Sequence, residues 1–253
     1  MPQMIRNKSI LGMRVDETSI DHSVSLIEGW VEKGAVAYVC VSNVHMCMET
    51  FDDPEFRALV NGADLVVPDG KPLAIGLKLL GSATAKQVRG ADLTKELLRL
   101  ADTREMTIGL YGGTEKAVKN FVSYIRRGYP SARIGCAISP PFRALDDLED
   151  EAYAREINGA GVQILFIGLG CPKQEKWMAA HKGRVNAVMV GVGAVFDFLS
   201  GEKREAPRWM RSVGLEWLFR LMSEPKRLWR RYLILNPRFL WHFGKQLMFG
   251  DRG

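Results

Sequence analysis

The sequence lacks the features that mark membrane-spanning and disulfide-bonded proteins. No apolar run in its 253 residues approaches the roughly 20 residues that a helix needs to cross a bilayer. The first residues carry a polar or charged side chain every few positions, unlike the apolar block of a signal peptide. The four cysteines show neither C-x-x-C spacing nor a histidine at zinc-finger distance. We therefore expect a cytosolic protein with free thiols and no structural zinc site.

Two glycine-rich phosphate motifs are also absent. The sequence contains neither G-x-G-x-x-G nor G-x-x-x-x-G-K-[ST], which are typical of dinucleotide-binding and P-loop proteins respectively. These absences weigh against an NAD-dependent oxidoreductase and against a P-loop nucleotide hydrolase.

The positive charge of the chain is concentrated near its C-terminus. The formal net charge is +6, but residues 201–253 hold 12 Lys or Arg against 5 Asp or Glu, whereas residues 1–200 hold 23 against 24. Four of the six tryptophans lie in the same segment: Trp209, Trp217, Trp229 and Trp241. We call residues 201–253 the tail. Interleaved basic and aromatic residues suit an anionic membrane surface or a nucleic acid.

The region before the tail alternates apolar runs with segments of helical length. Six runs are predicted strands: 36–42, 64–69, 107–113, 132–139, 162–170 and 187–193. Near-continuous apolar runs of this length are typical of a sheet that is covered on both faces. The pattern predicts an α/β fold, with a Rossmann-like, largely parallel sheet and helices on both of its faces.

The predicted helices lie between these strands and in the tail. One helix begins behind Ser19 as N-cap, and four more are predicted over 91–100, 115–125, 145–157 and 173–181. In the tail, Pro207, Pro225 and Pro237 interrupt the helical periodicity and predict a string of short helices. The chain thus divides into an α/β domain over residues 1–200 and a basic, Trp-rich helical appendage over residues 201–253.

Ligands of open parallel sheets bind outside the carboxyl ends of the strands, so the residues that follow each strand are candidate site residues. Polar groups or glycines lie at four strand ends: Ser42 and Asn43, Asp69, Gly112 and Gly113, and Lys173 and Gln174. Asp69 stands between Pro68 and Gly70 on a stiff turn. It could accept a proton from a substrate hydroxyl, or it could simply cap its own turn.

The corner "GLGCPKQE" (168–175) allows three interpretations. Cys171 could be a nucleophile, but no histidine is placed beside it in the sequence. Gly168 could leave backbone N–H groups open to a phosphate at the start of the next helix. Pro172 could also be the first-turn residue of an ordinary helix. Gly193, after the last strand, could allow a diphosphate or a sugar to approach the backbone.

The tail carries an arginine cluster. Arg227, Arg230 and Arg231 lie at helical spacing behind Pro225, with Arg220 one predicted helix earlier. Arginine binds phosphate oxygens bidentately, although a basic helix face can also be merely solvated.

Taken together, several segments resemble the WecG/TagA/CpsF family of bacterial glycosyltransferases, glycosyltransferase family 26. The resemblance extends from about residue 9 to 240 and is carried by the following segments: "VSNVHM", "LVVPDG", "RGADL", "LYGG", "ILFIGLGCPKQEKWM", "GVGAVFDFLSG", "REAPRWM" and "EPKRLWRRYL". It implies an inverting enzyme that moves a sugar from a UDP-sugar to a polyprenyl-diphosphate-linked acceptor in cell-surface polysaccharide synthesis. Such products include teichoic acid, common antigen and exopolysaccharide.

The resemblance also implies roles for individual residues. Asp69 would be the general base, Asn43 and Gln174 would line the pocket, and Arg220, Arg227 and Arg230 would face the diphosphate. The family often has Thr-Pro-Asn where this chain has Val41-Ser42-Asn43, which would move the hydroxyl contact to Ser42. The remaining strand-end residues are expected substrate contacts: Gly112, Gly113, Gly168, Lys173 and Gly193.

Many UDP-sugar transferases hold the diphosphate through a metal gripped by a D-x-D pair, and this sequence has no D-x-D. We therefore expect a reaction that needs neither metal nor cofactor. We also expect peripheral attachment of the tail to the anionic inner face of the cell membrane, without nucleic-acid binding, and homo-oligomerisation is compatible with this assignment. A Rossmann-type oxidoreductase and a basic nucleic-acid-binding module are the alternatives, tested by NAD binding and by salt-dependent binding to DNA or RNA.

Overall fold

The computed structural model describes residues 5–207, 209–210 and 214–250. Residues 1–4 of the predicted domain, and residues 208, 211–213 and 251–253 of the predicted appendage, lie outside the described residues.

A parallel sheet forms the centre of the molecule. Strands β1 (Asn7–Ile10) and β2 (Met13–Asp16) form a separate antiparallel hairpin. The main sheet comprises six strands: β3 (Ala37–Ser42), β4 (Leu65–Pro68), β5 (Thr107–Gly112), β6 (Arg133–Ile138), β7 (Ile164–Gly168) and β8 (Val188–Gly191). Their order across the sheet is β4-β3-β8-β7-β5-β6, and every neighbouring pair is parallel. The predicted α/β fold is confirmed.

The strands of this sheet alternate between two hydrophobic layers. In β3, Val39 and Val41 pack on one side, whereas Tyr38 and Cys40 pack on the other. The first side is covered by four helices: α1 (Ile20–Glu32), α5 (Gly90–Thr103), α6 (Glu115–Gly128) and α9 (Val195–Leu199). The other side is covered by the hairpin and five helices: α2 (Val44–Asp52), α3 (Pro54–Asn61), α4 (Lys71–Leu79), α7 (Asp147–Gly159) and α8 (Lys173–His181). Burial on both faces explains the near-continuous apolar runs.

Side-chain caps fix where several helices begin. Ser19 accepts a hydrogen bond from the N–H of His22 and starts α1, as predicted. Asn43 caps α2 in the same way, so the chain turns into a helix directly after β3. This turn places the Asn43 side chain at the carboxyl edge of the sheet.

The tail is helical over Glu216–Ser223 and again from Pro225 to Phe249, and the predicted break at Pro237 is wrong. After α10 (Glu216–Ser223), the chain is continuously helical through α11 (Pro225–Trp229), a π-helical segment (Arg230–Leu235) and α12 (Asn236–Phe249). A proline removes one helical hydrogen bond and crowds the carbonyl four residues earlier. The wider π turn that precedes Pro237 accommodates both effects, so the helix continues.

The tail packs against the α/β region rather than standing apart from it. Leu228, Phe239 and Phe243 are buried, and the two phenylalanines belong to the same hydrophobic layer as the β1–β2 hairpin. The Gln246 side chain donates to the carbonyl of Ser9 and accepts from the N–H of Leu11. Among the described residues, no helix is both long enough and apolar enough to cross a membrane.

Candidate active site

A cavity of about 540 Å³ lies at the carboxyl ends of β3, β4, β7 and β8, with the tail as its other wall. From β3 the chain continues outward to β4, whereas β5 to β8 fill the opposite half of the sheet. The junction of β3 and β8 is therefore the switch point at which α/β sheets bind ligands. Seven predicted site residues line the cavity: Asn43, Asp69, Gln174, Gly193, Arg220, Arg227 and Arg230.

Five other predicted site residues do not line the cavity. The Ser42 hydroxyl donates to the carbonyl of Val67 and is fully buried. The Lys173 side chain is exposed on α8. The remaining three are glycines that allow close packing: Gly112, Gly113 and Gly168. A Cβ atom at Gly112 would lie 2.6 Å from the backbone of Gly168, and one at Gly168 would lie 2.8 Å from the Phe196 ring.

Asp69 is held by the backbone around it. Its Oδ1 accepts the N–H of Gly90, the first residue of α5, at 2.8 Å. Its own carbonyl accepts the side-chain amide of Gln87. One carboxylate oxygen is thus oriented by a helix N-terminus, and Oδ2 accepts no hydrogen bond from the part of the chain that the structure describes. Such a carboxylate can receive a proton from a group bound in the cavity.

The surroundings of Asp69 favour proton uptake. Burial raises the pKa of the Asp69 carboxyl above its ordinary value, and the charge of Glu216 raises it further. The N–H of Gly90 and the guanidinium groups of Arg220 and Arg89 lower it. Because burial is the largest of these effects, the net shift is upward, which suits a base that works near neutral pH.

Arg89 and Glu216 join the core to the tail across the cavity. The Nε and Nη2 atoms of Arg89 each lie 3.2 Å from a carboxylate oxygen of Glu216, and its Nη1 lies 3.0 Å from Asp92. Arg89 was not among the predicted site residues, although its place before a predicted helix is a signal. A cation at a helix N-terminus is electrostatically unfavourable unless it is paired.

Gln174 and Glu175 share a buried hydrogen bond beside the cavity. The Nε2 of Gln174 donates to Glu175 at 2.7 Å, and its Oε1 accepts the N–H of Gly170. Burial raises the pKa of Glu175 to about 7, although the hydrogen bond from Gln174 lowers it. These contacts fix the orientation of the Gln174 amide. Gly191 and Gly193 leave room for that amide.

A second tail contact is made by Arg231. Its Nη2 donates to the side-chain oxygen of Asn43 at 2.8 Å. Burial and, secondly, the charge of Arg231 lower the pKa of His45 to about 4, so that this ring is neutral at neutral pH. Both residues line the cavity beside Ile234 of the π-helical segment. In that segment the neighbouring Arg230 and Arg231 both reach the cavity.

Cys171 lines the cavity but is poorly suited to be a nucleophile. Burial raises the pKa of its thiol far above the ordinary value, and the charge of Glu175 raises it further. Only the thiolate form of a cysteine is a good nucleophile. Because the pKa of Cys171 is raised, that form is scarcely populated at neutral pH. His45 also lines the cavity, but its Nε2 contacts Glu49.

No group of three or more His, Cys, Asp or Glu side chains placed to hold a metal ion occurs within residues 5–207, 209–210 and 214–250. Positive charge in the cavity comes instead from arginines: Arg89, Arg220, Arg227, Arg230 and Arg231. Planar guanidinium groups suit the oxygens of a phosphate or diphosphate. The cavity therefore brings the Asp69 carboxylate together with arginines whose guanidinium groups suit an anion.

Known proteins share sequence with this chain over most of its length. The model of the Glycosyl transferase WecG/TagA/CpsF family matches residues 8–253. The chain is 29% identical over 212 residues to the N-acetylglucosaminyldiphosphoundecaprenol N-acetyl-beta-D-mannosaminyltransferase of Bacillus subtilis strain 168, covering 83% of this chain and 80% of that protein. It is 26% identical over 239 residues to the protein of the same name from Staphylococcus aureus strain MW2, covering 93% and 91%.

Proposed function

Because the chain belongs to the WecG/TagA/CpsF family of glycosyl transferases, we propose that it moves a sugar from a UDP-sugar to a polyprenyl-diphosphate-linked acceptor. The transfer inverts the anomeric carbon and uses no metal ion. The observation that carries this proposal is the cavity, in which the Asp69 carboxylate faces tail arginines. Membership of this family places sugar transfer ahead of the oxidoreductase and nucleic-acid-binding alternatives.

The proposed reaction is a single displacement. Asp69 takes the proton of an acceptor hydroxyl while that oxygen forms a bond to the anomeric carbon. The bond between that carbon and the diphosphate oxygen breaks, and its electron pair leaves with UDP. Arg220, Arg227 and Arg230 would stabilise the charge that develops on the departing diphosphate. Asn43 and Gln174 would orient the sugars.

The names of the relatives decide which substrates to test first. They describe an N-acetyl-mannosaminyl group transferred to N-acetylglucosaminyldiphosphoundecaprenol. We expect a short-chain version of that acceptor to be glycosylated by one member of a panel of UDP-sugars, with release of UDP and with inverted configuration by NMR. Absence of transfer from every UDP-sugar, or a product with retained configuration, would contradict the proposed reaction.

Cys171→Ala is expected to keep most of the transfer activity, because a single displacement needs no nucleophilic side chain. Intact-mass spectrometry of the wild-type protein with donor alone should show no glycosylated protein. A sugar attached to Cys171, or loss of activity in a folded Cys171→Ala variant, would favour a double displacement instead.

We further propose that the tail attaches the enzyme peripherally to the anionic inner face of the membrane, where a polyprenyl-linked acceptor resides. Large apolar side chains are exposed along α12, including Trp241 at 64% and Phe249 at 84%. The ammonium group of Lys245 lies 4.8 Å from the centre of the Trp241 ring. Exposed aromatic residues next to basic ones suit the interface of an anionic bilayer.

Trp241→Ala combined with Phe249→Ala is expected to weaken sedimentation with anionic liposomes, because it removes apolar surface without opening the core. Point substitutions are preferable to a deletion of the tail, since Leu228, Phe239 and Phe243 are buried. Added salt should weaken binding of the wild-type chain. Leu148→Ala is the matched control, because Leu148 is 80% exposed on α7. Equal sedimentation of the double variant and the wild type would refute this role of the tail.

A further inference from the structure

A chain of contacts runs from the tail to the proposed base. Glu216 of α10 accepts two hydrogen bonds from the guanidinium group of Arg89. Arg89 immediately precedes Gly90, whose N–H donates to Asp69 at 2.8 Å. No side-chain hydrogen bond from Arg89 caps α5. The carboxylate of Asp69 therefore occupies the start of a helix that Glu216 holds through Arg89.

The charges around Asp69 are unbalanced. Three cations face it: Arg89 before α5, Arg220 of α10 and Arg231 of the π-helical segment. The negative charge of Glu216 has the opposite effect to these cations, because it raises the pKa of Asp69. Glu216 pairs with one of these cations and also lines the cavity. Without Glu216, the one salt-bridge partner of Arg89 among the described residues would be Asp92.

We propose that Glu216 is a positioning residue of the active site, which fixes the start of α5 against Asp69 and offsets the positive charge around that carboxylate. The tail thereby adjusts how readily Asp69 takes up a proton. This inference rests on the proposed role of Asp69 as general base.

The direct test is the titration of Asp69 in the full chain, measured by NMR of ¹³C-labelled aspartate carboxyl groups. Asp69→Asn identifies the resonance by its disappearance. In Glu216→Gln, which keeps hydrogen-bonding capacity but loses the charge, we expect the midpoint of the Asp69 titration to fall by about half a pH unit or more. The acidic limb of the pH profile of kcat/KM should move in the same direction. Glu216→Asp, which keeps the charge, should stay close to the wild type.

Asp52→Asn is the matched control. Asp52 pairs with both Nη atoms of Arg238, so this variant also removes a carboxylate that joins the core to a tail arginine, but neither residue lines the cavity. An unchanged Asp69 titration in Glu216→Gln, or an equal shift in Asp52→Asn, would overturn the inference. Failure of the proposed function would look different: Asp69→Asn would remain active, whatever the titration shows.

Discussion

Asp69→Asn is expected to lower the rate of sugar transfer by about 100-fold or more while the chain keeps its fold. The amide oxygen of asparagine can still accept the N–H of Gly90 that Asp69 now accepts, so the start of α5 should be preserved. The amide cannot take up the proton of an acceptor hydroxyl. Initial rates with a water-soluble acceptor, together with a thermal unfolding curve, measure the two effects separately.

Asp64→Asn provides the control for this result. Asp64 directly precedes β4, at the opposite end of that strand from Asp69, and it pairs with Lys182. Loss of its charge should leave the transfer rate close to that of the wild type. If a folded Asp69→Asn variant transfers sugar at a nearly normal rate, another group takes the proton and Asp69 is only the cap of α5.

The main sheet could be predicted from the sequence because its strands are buried on both faces and appear as apolar runs. The β1–β2 hairpin could not be predicted in the same way. Its turn places Leu11 and Gly12 at positive φ, without the Asn-Gly or Asp-Gly pair that signals such turns. Helices α2 and α3 were missed although their caps, Asn43 and Asp53, are visible in the sequence.

The candidate site was predictable only in part, for geometric reasons. Lys173 and Gln174 are neighbours, but successive residues of a helix point about 100° apart, so that only Gln174 faces the cavity. The contact between Asn43 and Arg231 joins residues 188 positions apart. No local pattern specifies such a pairing. It was the resemblance to a family, rather than spacing, that predicted a place for the tail arginines beside Asp69.

Arg227→Ala and Arg230→Ala are each expected to lower the transfer rate by about 10-fold or more, even with a water-soluble acceptor that makes membrane attachment irrelevant. Both residues line the cavity. Arg227 is oriented by two hydrogen bonds to Glu224. No carboxylate of the described residues pairs with Arg230, whose guanidinium group is thus available to a diphosphate. Loss of either group should slow departure of UDP.

The same reasoning predicts that transfer survives an excess of EDTA, because fixed guanidinium charge would replace the metal ion that neutralises the diphosphate in many UDP-sugar transferases. Arg238→Ala is the matched control, since Arg238 pairs with Asp52 outside the cavity; its rate should stay near that of the wild type. The opposite result would be loss of transfer in EDTA, its recovery with magnesium or manganese, and full activity of the Arg227 and Arg230 variants. In that case a metal ion neutralises the departing diphosphate, and the tail arginines serve only to bind the membrane.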